Sequence, residues 1–420
     1  MPTIGFAGMT HLGLCSAVAA ASKGFTCIGF DPDAALAERL ENGKLPVIEP
    51  GLDSLLGANR RRISFSADAA RLGECDVVYV APDVPTDDRG ISDLAPVDRL
   101  LDVAFANTRA DAVIVVLSQV PPGFTRARQR PGRLLYYQVE TLVFGRAVER
   151  ATRPERLIVG APEPEQPLPA ALASFLDAFG CPILPMRFES AELTKISINC
   201  CLVASVTVAN TLAELCERLG ADWAEIAPAL KLDRRIGAYS YLAPGLGLAG
   251  GNLERDLATV IRLSEQFGTE AGVIKAFVAN SEHRKDWTLR VLHEALLDRA
   301  PDAQLGILGL AYKENTHSTK NSPSLALIRH LAPWRLQVYD PAVPASAAPH
   351  PAATGASSAI EAARGVDALA IMTPWPQFRE LDCDNLAATM RGKLVLDPYR
   401  VLDPAVARAA GLDYRTLGVA

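Results

Sequence analysis

TIGFAGMTHLGLCSAVAAASKGFTCIGFD, from Thr3 to Asp31, decides the fold. TIGFAG (Thr3 to Gly8) is a short apolar run ending in glycine and reads as a buried strand. A small-residue helix follows to about Ser22, and FTCIGFD (Phe25 to Asp31) reads as a second strand. Strand, glycine turn, helix and strand make a βαβ unit. In the turn GMTHLG, Gly8 and Gly13 hold the outer positions of a dinucleotide fingerprint, the first for the tight turn and the last for close helix–strand packing. Thr10 stands where a middle glycine would let a pyrophosphate approach the backbone. The helix start still offers free N–H groups and the positive end of its dipole. Thr10 is therefore expected to point its side chain away or to hydrogen-bond the pyrophosphate. Asp31 ends the second strand at the distance expected of the carboxylate that accepts ribose hydroxyls, and its charge would repel the 2′-phosphate of NADP. NAD is the expected cofactor. His11, inside the turn, is expected to make a helix-start hydrogen bond.

Working outward, CDVVYVA (Cys75 to Ala81), AVIVVLS (Ala112 to Ser118) and RLIVG (Arg156 to Gly160) read as further parallel-type strands. Glu189 to Leu219 has no proline or glycine and reads as one long helix, with more helix around Leu253–Phe267 and Gly272–Leu297. Near Pro301 the α/β pattern resumes. LGILGLAYK (Leu305 to Lys313), RLQVYDP (Arg335 to Pro341) and VDALAIMTP (Val366 to Pro374) echo the first strands in the same order. The expected fold is α/β, with two Rossmann-like parallel-sheet domains joined by a central helical domain containing one long helix. The expected domains are 1–185, 186–300 and 301–420.

Composition narrows the partners. A net charge of −6 disfavours nucleic acid and anionic membranes, so any phosphate must be held by local groups. None of the eight cysteines forms a CxxC pair, and buried free thiols of a cytoplasmic protein are expected, with no metal site. The apolar Leu12–Ala21 has no Lys or Arg before it, unlike a signal peptide. No apolar run is read as long enough to span a bilayer.

Across nearly its whole length the chain resembles the UDP-glucose and GDP-mannose dehydrogenase family. The resemblance rests on EPGL (Glu49 to Leu52), VPPG (Val120 to Gly123), Glu192 with KxxxN (Lys195 to Asn199), DRRIG (Asp233 to Gly237) and YLAPGLG (Tyr241 to Gly247). It continues through GLAYKENT (Gly309 to Thr316), NSPS (Asn321 to Ser324), TPW (Thr373 to Trp375) and DPYR (Asp397 to Arg400). It implies oxidation of a sugar C6 alcohol in two hydride transfers, through a cysteine thioester that water opens. Lys195 and Asn199, four residues apart, project from one helix face, and the resemblance makes them polarise the C6 oxygen and hold the anionic intermediate. Asp256 matches the aspartate that works with an ordered water, and Glu140 the first glutamate of a PEFLxEG segment. On the cofactor side the resemblance adds Leu12, Val84, Gln119 and Lys320. On the substrate side it adds Arg235 (acting in a neighbouring subunit's site), Tyr241, Gly247, Asn252, Lys313 and Arg400.

The departures bear on chemistry. GFGGSCFPKD becomes GLAGGNLERD (Gly247 to Asp256), which puts Asn252 where the nucleophilic cysteine belongs. The second glutamate of PEFLxEG becomes Phe144, KSTVPPGT becomes LSQVPPGF, and the VGTP turn becomes APDVP (Ala81 to Pro85). Asparagine forms neither thiohemiacetal nor thioester. The expectation is NAD-dependent oxidation of a nucleotide sugar at a primary alcohol by a thiol-free route, with the aldehyde as a stopping point. The alternatives are a non-catalytic relative that binds nucleotide sugar or NAD, and a dehydrogenase acting at another sugar carbon. By resemblance, the central helix would assemble a homodimer or larger homo-oligomer.

Overall fold

The computed structural model describes residues 1–87 and 90–420. The chain divides into two compact units, Met1–Ile198 and Asn199–Ala420.

The first unit holds an eight-stranded sheet: β1 (Ile4–Ala7), β2 (Cys27–Phe30), β3 (Ile63–Ser66), β4 (Val77–Val80), β5 (Val113–Val116), β6 (Leu134–Gln138), β7 (Leu157–Ala161) and β8 (Ile183–Arg187). Their order is β3-β2-β1-β4-β5-β6-β7-β8. β1, β2, β4 and β5 are buried along their whole length, as continuous apolar runs covered on both faces should be. The first helix, His11–Ser22, lies on one face, with Leu14, Ala17 and Val18 fully buried. Each buried side chain of the Leu or Val kind contributes roughly 1.5–3 kcal/mol. The expectation that Arg156–Gly160 is a parallel-type strand is corrected on one side: β7 pairs antiparallel with β6, at Tyr137↔Gly160 and Gln138↔Val159, and parallel with β8. A short apolar run specifies burial on both faces and carries no information about direction.

The second unit has a six-stranded, wholly parallel sheet: β9 (Gln304–Leu308), β10 (Arg335–Tyr339), β11 (Ala353–Gly355), β12 (Ala368–Ile371), β13 (Leu394–Leu396) and β14 (Asp413–Arg415). Its order, β11-β10-β9-β12-β13-β14, repeats the β3-β2-β1-β4-β5 progression of the first sheet. The helices Trp223–Leu232, Asn252–Phe267, Gly272–Lys285 and Trp287–Leu292 precede it. Among them Arg284 is fully buried and reaches Glu214 Oε2 at 3.1 Å and Glu217 Oε1 at 3.4 Å. A buried guanidinium persists only with such partners.

The long helix is Phe188–Leu219, and the division between the units falls within it. Here the bilayer reading is corrected: by length and composition this helix is long and apolar enough to cross a membrane, its most apolar 18-residue stretch having a mean hydropathy of 1.6. Ile196 to Ala213 contains no charged residue, but Ser197, Asn199, Ser205, Thr207, Asn210 and Thr211 interrupt it and hide its apolar average from the eye. Val208, Leu212, Leu215 and Leu219 are exposed along it.

Candidate functional site

The glycine turn has the geometry a dinucleotide needs. Gly8 has φ +97°, and a Cβ there would lie 2.9 Å from the backbone nitrogen of Pro82, so this position admits only glycine. A Cβ on Gly13 would run into the carbonyl oxygen of Gly8, which fixes how closely the first helix packs on β1. Asp31 closes the turn: its Oδ2 accepts from Met9 N–H at 2.8 Å and its Oδ1 from Asp33 N–H at 3.0 Å. An ionised carboxylate has about four acceptor sites, so two backbone donors leave Asp31 capacity for ribose hydroxyls. The residues present therefore fit NAD. Leu12 is buried and lines, with Glu140, Leu117 and Tyr79, a cavity of about 60 Å³. Val84 and Gln119 are half-buried after β4 and β5.

Long-range contacts around this turn escaped the sequence reading. Thr10 makes no cap bond to its own helix. Its Oγ1 accepts from Asp83 N–H at 2.7 Å, while Asp83 Oδ2 accepts from His11 N–H at 3.0 Å. His11 does take part in a helix-start hydrogen bond through its backbone. Its ring also meets Glu49, Nε2 to Oε2 at 2.9 Å, and stacks on Phe144 with centroids 4.2 Å apart. The Glu49 carboxylate further accepts from Gly145 N–H at 3.0 Å and Ala147 N–H at 2.7 Å. The EPGL glutamate thus ties three segments together. Glu192 does the same for the VPPG loop, accepting from Gly123 N–H at 2.6 Å and Thr125 N–H at 2.8 Å. Burial pushes its carboxyl above the usual range, against those two bonds.

Lys195 and Asn199 lie one turn apart on the long helix, and each faces a carboxylate. Lys195 Nζ is 2.7 Å from Glu140 Oε1, both side chains being mostly buried; Leu142 N–H holds the other Glu140 oxygen at 2.9 Å. In the second unit Asn199 Nδ2 donates to Asp256 Oδ2 at 2.5 Å, and Arg255 Nε lies 3.3 Å from Asp256 Oδ1. Asp256 is buried. Asn252 is exposed as the first residue of the helix Asn252–Phe267. Cys200, beside Asn199, packs with Leu248 and Leu257. Burial, reinforced by Asp256 and Cys201, pushes its thiol up to about 11. It is a thiol at neutral pH and makes a poor nucleophile.

The cations expected to hold substrate, and Lys320 expected on the cofactor side, are dispersed over the second unit. Arg400, at φ +50°, forks onto Asp222 at 2.6 and 3.3 Å. Beside it a cavity of about 300 Å³ is lined by Trp223, Leu242, Pro244, Tyr399 and Lys231. Lys313 Nζ sits 5.7 Å from the centre of the Tyr312 ring. Lys320 packs its stem on Gly251 and accepts from Gly250 N–H at 3.0 Å through its carbonyl. Gly247 abuts Ser281. Tyr241 is exposed, as is Arg235, which forks onto Asp233 two residues away, with Nη2 to Oδ2 at 2.6 Å. Among the described residues nothing buries that arginine.

Three family models match the chain in order. Residues 2–174 match the NAD binding domain of the UDP-glucose/GDP-mannose dehydrogenase family, residues 189–282 its central domain and residues 306–404 its UDP binding domain. The UDP-glucose 6-dehydrogenase of Pseudomonas aeruginosa is 29% identical over 439 residues, covering 98% of this chain and 96% of that protein. The Rhizobium meliloti enzyme of the same name is 28% identical, covering 98% of each. Among solved structures, a UDP-glucose dehydrogenase from the archaeon Pyrobaculum islandicum superposes with a TM-score of 0.86 at 29% identity, over 100% of this chain and 98% of that one. The same fold recurs in a UDP-D-ManNAc dehydrogenase from Pyrococcus horikoshii, with a TM-score of 0.84 at 23% identity over 99% of each chain. With all three domains matched in order, this chain belongs to the UDP-glucose/GDP-mannose dehydrogenase family.

Proposed function

We propose that this chain oxidises a nucleotide sugar of the UDP-glucose kind with NAD, at a primary alcohol, without a covalent thiol intermediate, and stops at the aldehyde. The observation that carries this reading is the pairing of each helix-borne polar group with a carboxylate: Lys195 with Glu140 and Asn199 with Asp256. NAD, when bound, supplies the hydride acceptor; Gly8, Thr10, Leu12, Gly13, Asp31, Val84, Gln119 and Lys320 are the residues proposed to hold it. Lys195 Nζ donates to the alcohol oxygen and steadies its growing negative charge, while Glu140 takes the hydroxyl proton. Asn199 and Asp256 orient a water. Without a thiol at Asn252 no covalent intermediate forms, so the aldehyde leaves. Arg400 and Lys313 are proposed to hold the diphosphate, with the base in the cavity beside Arg400. Tyr241, Gly247 and Asn252 are proposed to border the sugar, and Arg235 to serve a neighbouring copy.

The exposed Val208, Leu212, Leu215 and Leu219 repeat at spacings of four, three and four residues. That is the pattern of a helix seam, and it supports a homodimer. Free thiols throughout fit a cytoplasmic location.

The test is incubation of purified protein with NAD and UDP-, GDP-, CDP- and dTDP-sugars, following absorbance at 340 nm and product mass. One NADH per sugar and a product lighter by two hydrogens is the expected result. A product that gains an oxygen removes the aldehyde stop; silence with every sugar removes the enzyme. A non-catalytic reading has its own support, since Asp83 sits on the first helix's N–H and Asp222 on Arg400. NADH production that Lys195→Ala abolishes excludes it.

A further inference from the structure

Thr10 and Asp83 both belong to segments that depart from the family pattern, and the structure shows that the two departures meet. Asp83 N–H donates to Thr10 Oγ1 at 2.7 Å, and Asp83 Oδ2 accepts from His11 N–H at 3.0 Å. His11 opens the helix that follows the glycine turn, so its N–H is one of the donors that no residue of the helix itself can satisfy. The threonine at the cap position leaves that donor alone and instead anchors the loop that carries the aspartate. A carboxylate oxygen thus stands on an amide that a cofactor phosphate would use.

We infer that Asp83 is the residue that sets dinucleotide affinity: its carboxylate occupies a phosphate position at the start of the first helix, and it must leave before a pyrophosphate can settle there. This rests on the proposed NAD site and adds to it a residue that opposes the ligand. Two anions cannot share one N–H, and at contact distance their repulsion adds to the lost hydrogen bond. The surroundings give Asp83 reason to move. It stands at the surface, yet the groups crowding its carboxylate strip it of water and hold its carboxyl above the ordinary range. The His11 charge, the Thr10 hydroxyl and the His11 N–H on the carboxylate offset that effect, and Glu140 reinforces it. Swinging the side chain outward returns it to solvent and frees the amide.

The experiment is calorimetric titration of NAD into the unaltered protein, Asp83→Asn and Asp83→Gly, with adenosine as a ligand that carries no phosphate. Asp83→Asn keeps the shape and an acceptor oxygen, so the helix start stays capped while the charge is removed. NAD is expected to bind Asp83→Asn about three- to tenfold more tightly and Asp83→Gly at least as tightly, with adenosine unchanged. Equal or weaker NAD binding by both variants overturns the inference and leaves the NAD site standing. An equal gain for NAD and adenosine also overturns it, because the effect would not then lie at the phosphate. If none of the three proteins binds NAD, the dinucleotide reading falls and takes this inference with it.

Discussion

The two sheets carry the same turn put to different uses. After β1, Gly8 (φ +97°) donates its N–H to Phe30 O at 2.8 Å; after β9, Gly309 (φ +94°) donates to Tyr339 O at 2.8 Å. Each second strand is followed by an aspartate that accepts from the amide after the glycine. Among the described residues Asp31 takes two donors, Met9 N–H and Asp33 N–H. Asp340 takes five donors: Leu310, Ala311, Ala342 and Val343 N–H and the Trp375 indole N–H at 3.1 Å. The first turn leads directly into a helix at His11, whereas the second runs through a loop and its helix begins only at Pro323. A strand, glycine and aspartate frame therefore does not make a dinucleotide site. The site requires a helix start beside the turn and a carboxylate with acceptor capacity left over.

The largest effect expected from that contrast is at Lys195, set against Lys313, which lies in the loop of the second turn. Lys195→Ala is expected to lower kcat about 10³-fold, in the range of a lost acid–base group. Lys313→Ala, if it grips substrate only, is expected to raise KM about tenfold with kcat kept. Steady-state kinetics at 340 nm with varied sugar nucleotide separates the two. A kcat loss at Lys313 as large as that at Lys195 would break the contrast.

The aspartates come next. Removing Asp31 strips two charge-assisted hydrogen bonds from a ribose, worth about 1.5–3 kcal/mol each at most. Asp31→Ala is therefore expected to weaken NAD binding roughly 10- to 100-fold, with a smaller loss of stability than Asp340→Ala because two N–H donors lose their acceptor. Asp340→Ala leaves the indole and four backbone N–H groups without their acceptor. It is expected to cost about 3 kcal/mol of stability while NAD affinity holds. Thermal unfolding and an NAD titration on both variants are the measurements; if the two variants exchange these effects, the division of labour is wrong.

What the sequence discloses follows distance along the chain. The βαβ frame, the long helix and the i, i+4 placement of Lys195 and Asn199 are local patterns, and residues Thr3 to Asp31 carry enough of them to be read. β3 (Ile63–Ser66) and β14 (Asp413–Arg415) went unread because each has only alternate residues buried and no continuous apolar run. β6 (Leu134–Gln138) also went unread; the segment before it forms only a single turn, Arg126–Arg128. The contacts of His11 with Glu49 and Phe144, and of Thr10 with Asp83, join residues 38 to 133 positions apart, and no spacing rule signals them. Thr10, Phe144 and the APDVP loop were each legible as departures. Only the fold shows that Thr10 bonds that loop through Asp83, and that Phe144 lies on His11.

Asn252 heads a third helix start, outside both glycine frames, and there the expected effect is a doubling. A thiol at a helix N-terminus has a lowered pKa, so Asn252→Cys places a nucleophile where the aldehyde is proposed to escape. The stoichiometry is expected to rise from one NADH per sugar toward two, with acid in the product by mass. Unchanged stoichiometry together with retained first-step activity would show that the thiol is not what is missing.

The smallest effect concerns the buried carboxylates that brace each unit, Glu192 under the VPPG loop and Asp397 under the Arg400 loop. Burial raises both carboxyls. The N–H groups of Thr125 and Gly123 oppose it at Glu192, and those of Leu402 and Val401 with the Tyr414 hydroxyl oppose it at Asp397. A carboxyl whose pKa is raised by folding binds its proton more tightly in the folded chain. Its stabilisation is complete below the unfolded pKa of about 4 and is lost as pH rises through the folded value. Glu192→Gln and Asp397→Asn never ionise and so lack that loss. Each variant also sets an amide N–H against backbone donors, a penalty that does not change with pH. Measured against the unaltered chain by urea midpoint, each variant is expected to look worst near pH 4.5 and to regain about 1 kcal/mol or less by pH 7. Other carboxylates, such as Glu189 and Asp222, have pKa values lowered by arginine partners and give slopes of the opposite sign. For that reason the difference between variant and parent is the decisive quantity. A gap that stays constant or widens with pH would show that the N–H donors, and not burial, govern these two sites.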